Sequence, residues 1–575
     1  MWRKLFSNVN QYKKYAILAP LFVVLEVVCE VLIPKIMTYI IDDGVAKGNI
    51  NAVLINGGIM VILAGLSLLL GLLSARFAAV ASMGFGANLR ENMFNKVQNF
   101  SFKNVDKFST GSLITRFTTD VSFVQQAFMM SIRIAFRAPV MLILSIVMIF
   151  TINIKIAIAF VVLVPLVWGL MIFAMKFVVP LFEKLFKKFD ALNTKVQENL
   201  TGIRVVKTFV RENHESASFR KASLDLQDAQ IKAEKLLVYA NPLMNFVTYA
   251  ITITVVWIGG IQIMQATMSA GDISGIIAYI GQLLMALVMV AMVFVNLFMS
   301  RASARRISEI IDETPDISDK DADPSVKVED SNIIFDKVSF KYKEAAENPV
   351  LSDISFEVKK GEVLGIVGGT GSGKSSLVQL IPRLYDASQG NVLVGGRNVK
   401  EFKIETLREA VGMVLQNNTL FSGTIEENLR WGNPNATQEE LEEACKIASA
   451  HDFIVSFPNG YKSDISQGGV NVSGGQKQRI CIARALLKKP KVLILDDSTS
   501  AVDSATEAEI REGIKASMKE TTLIVIAQRI ASVIDADKII VLDDGKINGI
   551  GTHKELLQNN NIYKEIYNSQ LGGVR

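Results

Sequence analysis

Cysteine and histidine are scarce in this chain, with three of each among 575 residues. Cys29, Cys445 and Cys481 are odd in number and far apart, which excludes a disulfide framework and any metal-finger spacing. They read as small buried apolar side chains. An excess of one charge is lacking too: 61 Lys and Arg stand against 56 Asp and Glu. The resulting +5 is modest for this length and argues for no nucleic-acid partner. What the chain has in plenty is apolar surface, since half of its residues are hydrophobic. That excess lies almost entirely before about residue 300, and the rest reads as an ordinary globular α/β protein. The length allows more than one domain.

A helix needs ~20 mostly apolar residues to cross a bilayer, and six stretches qualify: 16–41, 53–82, 129–152, 154–180, 236–265 and 272–300. Basic residues set their orientation. The second and third spans are joined by a loop carrying Arg90, Lys96, Lys103, Lys107 and Arg116, and the loop after the fourth is basic from Lys184 to Lys221. The opposite connections, "DDGVAKGN", "TINI" and "QATMSAGDIS", hold hardly any Lys or Arg. Both termini and both long loops are therefore expected in the cytoplasm, beneath a cell membrane that the chain crosses several times. The long loops keep helical periodicity and read as extensions of the spans. The opening "MWRKLFSNVNQYKKY" suits a helix lying on the membrane surface. The first span is long, contains Glu26 and Glu30 and lacks a small-residue cleavage site, so it reads as a membrane helix rather than a signal peptide.

Glu26 and Glu30 share a face of the first span, and Arg133 and Arg137 share a face of the third. Such groups either pair with each other or meet a substrate. Met285, Met289, Met292 and Met299 recur at near-helical spacing on the sixth span, as a thioether wall for lipophilic compounds or as helix packing. The expected organisation is a membrane α-helical bundle over 1–305, a linker over 306–330 that contains Pro315 and Pro324, and a soluble α/β P-loop domain over 331–575.

Chemistry concentrates in that last part. "GIVGGTGSGKSS" places Gly368, Gly369, Thr370, Gly371, Ser372, Gly373, Lys374, Ser375 and Ser376 between a strand and a helix. Glycines let successive N–H groups face phosphate oxygens; Lys374 would reach the β- and γ-phosphates of ATP, and Ser375 would bind Mg2+. In "KVLILDDSTSAVD" the run from Val492 to Leu495 reads as a buried strand, with Asp496 at its tip well placed to hold the metal.

"VNVSGGQKQRICIARALL" then narrows the choice among P-loop proteins. Its Ser473-Gly474-Gly475-Gln476 opens a strongly helical stretch shortly before the acidic strand. Here the chain resembles the ATP-binding cassette family, and six spans followed by one cassette resemble an exporter half-transporter. The resemblance implies that Tyr342 stacks on adenine, although it also fits as an ordinary strand aromatic. It implies that Gln416 meets Mg2+ and senses the membrane domain, that Asp496 is the metal-associated acid, and that Ser500 to Asp503 cross to a partner cassette. Each ATP would lie between one P-loop and the opposite S-G-G-Q, so the working unit is a dimer. "FSFKNVDKFSTG" and "NLTGIRVVKTF" match the family's coupling segments, or are ordinary solvated loops.

Two positions in the hydrolytic site depart from the family pattern. The residue after the metal acid, usually glutamate, is Asp497, shorter by one methylene or about 1.5 Å. The switch histidine is replaced by Gln528, which cannot carry a proton at neutral pH. None of His214, His451 and His553 stands there, and His553 reads as structural. Gln467 also replaces a common glutamate ahead of the signature. The expectation is a site that binds ATP but hydrolyses it poorly, within a heterodimer exporting amphipathic drugs whose other half-transporter supplies the competent residues. Lipid flipping, peptide export and an ATP-gated regulatory subunit are the alternatives.

Overall fold

The computed structural model describes the backbone of residues 1–343, 347–498 and 501–571, and the side chains of these except at 162–164, 166–168, 170–175, 179, 236–237, 240–241, 243–244 and 571. The chain divides into two compact units, Met1–Lys96 with Thr110–Asp312, and Val97–Ser109 with Glu313–Arg575.

The first unit is helical. Its main helices are α1 (Lys13–Tyr39), α2 (Ile50–Gln98), and, beyond the short α3 (Phe102–Lys107), α4 (Val121–Ile152), α5 (Ile154–Thr201), α6 (Ile203–Thr208), α7 (Glu212–Val238), α8 (Ala240–Met264) and α9 (Ala270–Asp312). Among the described residues, five helical segments are long and apolar enough to cross a membrane. The expected span at 154–180 falls in α5, where many side chains lie outside the described residues. Leu and Ile side chains such as Ile17, Leu54 and Leu68, with Val61, point outward, as a lipid-facing surface requires.

Sharp connections are made by polar caps. A single residue, Asn153, separates α4 from α5, and its Oδ1 accepts from the N–H groups of Lys155 and Ile156 at 3.1 and 3.2 Å. Asp42 accepts from Ser269 Oγ at 2.6 Å and from the Gly271 N–H at 2.9 Å, closing the start of α9. α9 packs along α4 and α1.

The ionisable groups of the spans are paired. Arg137 donates to Glu26 Oε1 at 2.5 Å and to both Glu30 oxygens at 2.7 Å. A Cβ at Gly71 would lie 2.9 Å from Glu26 Oε1, so α2 gives this carboxylate its room. Arg133 has no hydrogen-bonding or ionic partner among the described residues. Beyond the apolar spans, Arg306 forks onto the buried Asp120, and Arg116 donates to the Arg306 carbonyl at 2.6 Å and to Glu309 at 3.0 Å. α9 runs on to Asp312, so the unit ends there and not at residue 305: nothing in 306–312 breaks a helix, and Pro315 follows only three residues later.

Beside a small antiparallel pair, β7 (Gly423–Thr424) with β8 (Asp464–Ile465), the second unit holds two main sheets. The smaller orders β2 (Leu351–Val358), β1 (Ile333–Phe340), β4 (Gln389–Val394) and β5 (Arg397–Asn398), all antiparallel. The larger orders β12 (Lys546–Gly551), β11 (Lys538–Asp543), β3 (Val363–Gly368), β10 (Thr522–Ile526), β9 (Val492–Asp496) and β6 (Val411–Val414). The five strands from β11 to β6 run parallel, and β12 is antiparallel to β11. β9 and β10 are buried along their whole length, as strands covered on both faces must be, and this explains their unalternated apolar sequence. Against these strands lie α10 (Lys374–Gln379), α11 (Gln438–Ile447), α12 (Gly474–Leu486) and α13 (Ser504–Ser517).

Candidate functional site

Parallel strands bring their C-terminal ends to one edge, and in this sheet that edge collects the chemistry. Ile526 of β10 pairs with Ile366 of β3 on one side and with Asp496 of β9 on the other, while Val414 of β6 pairs with Leu495. The residues at and just beyond these strand ends therefore meet: the glycine loop after β3, Gln528 after β10, Asp496 closing β9 with Asp497 just after it, and Gln416 after β6.

The loop turns at Gly368, where a Cβ would stand 2.1 Å from the Leu542 carbonyl, a place no side chain can occupy. A Cβ at Gly369 or Gly371 would meet nothing within 4 Å, so the loop is open at these positions. Lys374 Nζ donates to the carbonyls of Gly368 and Gly369 at 2.8 and 2.7 Å. Burial pulls its ammonium below the usual lysine range, against the attraction of Asp497 and Asp496.

Ser375 Oγ donates to Asp496 Oδ1 at 2.9 Å. Burial pushes the Asp496 carboxyl up, partly offset by that hydrogen bond. A hydroxyl and a carboxylate held together, with the Gln416 amide nearby, form the all-oxygen donor set that a hard divalent cation takes, so these residues fit Mg2+.

Asp497 sits in a left-handed conformation, φ +48°, with its N–H donating to the Ile526 carbonyl at 3.1 Å. Its Oδ2 accepts from two amides, Gln528 Nε2 at 2.6 Å and Gln416 Nε2 at 3.2 Å. The two departures read in the sequence are thus in direct contact. Burial raises the Asp497 carboxyl, and the two amide hydrogen bonds oppose it.

Tyr342 follows β1 and is 38% exposed, so its ring is available to a base. Its hydroxyl lies 2.8 Å from Ser376 Oγ, and its ring stands edge-on to Phe340 and Tyr385, at 4.8 and 5.1 Å between centroids.

The signature is built separately. Ser473 caps α12: its Oγ accepts from the Gln476 N–H at 3.2 Å, and Gln476 Oε1 accepts from the Ser473 N–H at 2.9 Å. Among the described residues, neither side chain reaches the P-loop. Ser473 and Gly474 are both exposed. A Cβ at Gly475 would come within 2.8 Å of the Ala501 carbonyl, which explains glycine there. Gln478, which the sequence did not single out, accepts from the Ala501 N–H at 3.0 Å and fastens the same loop. Asp503 caps α13 by accepting from the Thr506 N–H at 3.0 Å, and those backbone donors hold its carboxyl below the usual range. Ser500 lies outside the described residues. Gln467 is exposed.

His553 contacts the Tyr563 hydroxyl at 2.8 Å through Nδ1, away from the site. The three cysteines are buried and unbridged. Met285, Met292 and Met299 are about half exposed and turn away from the packing of α9 within the chain.

The family model of the ABC transporter transmembrane region matches residues 16–308, and that of the ABC transporter matches 351–500. The chain belongs to the ABC transporter family. The Bacillus subtilis (strain 168) ABC transporter ATP-binding protein YfiB is 37% identical over 570 residues, covering 99% of each chain. YgaD of the same organism, named a putative multidrug export ATP-binding/permease protein, is 32% identical over 581 residues, again covering 99% of each. A bacterial Atm1-family ABC exporter solved with ATP bound superposes with a TM-score of 0.83 at 26% identity, covering 97% of this chain and 99% of that one. This ABC transporter chain thus has the architecture of an exporter half-transporter, a helical membrane domain followed by one cassette.

Proposed function

We propose that this ABC transporter chain is the hydrolysis-impaired half of a heterodimeric exporter of lipophilic or amphipathic compounds. Its P-loop site grips ATP, and its SGGQ completes the competent site built on the partner's P-loop. The observation that carries the reading is the 2.6 Å hydrogen bond from Gln528 to Asp497. A general base must reach its proton within ~2.6–3.2 Å. Here the carboxylate is set back by about one C–C bond, ~1.5 Å, and one oxygen is engaged by two amides. Glutamine can donate to a phosphate but cannot shuttle a proton.

ATP would lie on Gly368 to Ser376 with its base on Tyr342. A magnesium ion held by Ser375, Asp496 and Gln416 would supply charge neutralisation between the β- and γ-phosphates. Ser473 to Gln476 reach solvent, which suits a surface that closes on another cassette. The cassette and both termini would face the cytoplasm, on the sign of the loop charges. α6, in the second coupling segment, is without buried residues, and Val205, Phe209 and Val210 in and just after it are exposed. That apolar surface suits docking on a partner chain. The name of YgaD and the outward methionine face support a drug-like cargo.

Single-turnover hydrolysis tests this, with Asp497→Glu and Gln528→His introduced together. The double variant should gain at least about 10-fold at this site, a conservative share of what a positioned base contributes. Brisk turnover by the wild-type chain on its own, or no gain in the double variant, would overturn the proposal.

A further inference from the structure

One chain of contacts in the second unit lies outside the nucleotide chemistry described above. The short helix α3 lies in sequence between two membrane-crossing helices, yet it groups with the cassette. Three of its side chains and its cap fasten it there. Asn104 donates to Glu313 Oε1 at 2.9 Å and to the Thr314 carbonyl at 3.2 Å; Lys107 pairs with Glu313 at 2.6 Å; Lys103 pairs with Asp316 at 3.7 Å; and the cap Ser101 donates to Asp316. A further contact goes elsewhere. Asp106 Oδ2 accepts from the Tyr385 hydroxyl at 2.5 Å.

Tyr385 stands a few residues beyond the P-loop helix α10 and is buried. Its ring meets Phe102 of α3 edge-on at 6.0 Å and Tyr342 edge-on at 5.1 Å. Tyr342 in turn reaches Ser376 of the P-loop helix by its hydroxyl. Packed aromatic rings resist small displacements, because interiors are close-packed and edge-to-face pairs have a preferred geometry. A base laid against the exposed part of Tyr342 therefore acts on a ring already packed against Tyr385.

We propose that Tyr385 is a positioning residue that links the base-stacking ring of Tyr342 to Asp106 of the coupling helix, so that the base, and not the phosphates alone, fixes that helix. Burial, with the Asp106 hydrogen bond second, holds the Tyr385 phenol above its ordinary range, so it stays a donor at every physiological pH. The inference rests on the reading of Tyr342 as the adenine platform.

The test is hydrogen exchange at residues 97–109 in the full-length chain in lipid nanodiscs, with ATP affinity measured on the same samples. In the wild type, Mg-ATP should slow exchange in this segment several-fold, and tripolyphosphate, which occupies the P-loop without a base, should not. Tyr385→Phe keeps the ring but removes the hydroxyl; it should bind ATP within about twofold of wild type and lose the ATP-dependent protection. Asp106→Ala should match it, Asp106→Asn should retain protection because the amide oxygen still accepts, and the Tyr385→Phe, Asp106→Ala pair should be no worse than either single variant. Unchanged melting temperatures confirm that the fold is intact. Protection kept in Tyr385→Phe, or equal protection by tripolyphosphate, overturns the inference. Loss of ATP binding on removing the Tyr342 ring is a separate measurement that tests the platform itself, and unaltered affinity in Tyr342→Ala would sink that underlying reading instead.

Discussion

The P-loop edge and the signature helix are the two halves of this cassette's nucleotide machinery, and they are built to different standards. The P-loop edge keeps its glycine loop, Lys374 and the Ser375–Asp496 pair, yet its acid is short and tied to glutamine amides. The signature helix is complete: Ser473 and Gln476 satisfy each other's backbone in a capping box, and Gly475 lets the Ala501 loop close beneath it. In a dimer with shared sites the two halves serve different nucleotides, so hydrolysis can be lost from one while the other stays under full constraint. The lesson is that intactness has to be judged separately for each half.

The largest expected effect falls on the complete half. Ser473→Ala should lower steady-state ATPase of the assembled transporter by about 10²-fold, the usual loss when one positioned donor to a reacting oxyanion is removed. Alanine also removes a helix cap, at ~1 kcal/mol of stability. Ser473→Asp separates the two effects, because aspartate caps as well as serine but sets a negative charge against the phosphates; it should keep the melting temperature and still lose the activity. If Ser473→Asp turns over normally, the signature does not serve a working site and the contrast between halves is gone.

Next in size comes Lys374→Ala. A hydrogen bond to a charged group contributes ~1.5–3 kcal/mol, so ATP affinity at this chain's P-loop should fall roughly 10–100-fold at about 1.4 kcal/mol per decade. Equilibrium binding to the purified chain reads it. Steady-state ATPase of the complex should fall by less than in Ser473→Ala if, as proposed, this P-loop holds nucleotide without consuming it quickly. A greater loss of ATPase than of binding would move the hydrolytic site onto this chain.

Much of this was legible in the sequence, for identifiable reasons. Span lengths follow from bilayer thickness. The P-loop follows from local glycine chemistry, which needs no tertiary information. The Glu26, Glu30 and Arg137 cluster was half legible: shared helix faces suggested pairing, but only the packing of α1 on α4 selects Arg137 and leaves Arg133 outside. Asp497 and Gln528 were each conspicuous alone, whereas their hydrogen bond depends on β9 and β10 being neighbours in register, 31 residues apart in sequence. The Asp106–Tyr385 contact spans 279 residues and has no periodic or motif signal, so nothing local announces it. Gln478 was missed for a related reason: within an amphipathic helix a buried glutamine looks like any polar face residue until the loop it fastens is seen.

The smallest expected effect is the one that discriminates most sharply. Asp497→Asn is isosteric: its side-chain oxygen can still accept from Gln528, and only the charge is lost. Were Asp497 the working base, losing that charge would cost ~10²–10⁴-fold. If hydrolysis instead runs at the partner's P-loop, the complex should lose less than about twofold in steady-state ATPase. ATP affinity at this site should then be unchanged or slightly improved, since a buried carboxylate no longer faces the γ-phosphate. The carboxyl is already held above its ordinary range by burial, so the neutral amide resembles the form that burial favours. A hundredfold loss would show that a short acid beside a glutamine hydrolyses ATP after all, and the two halves of the cassette would then be equals.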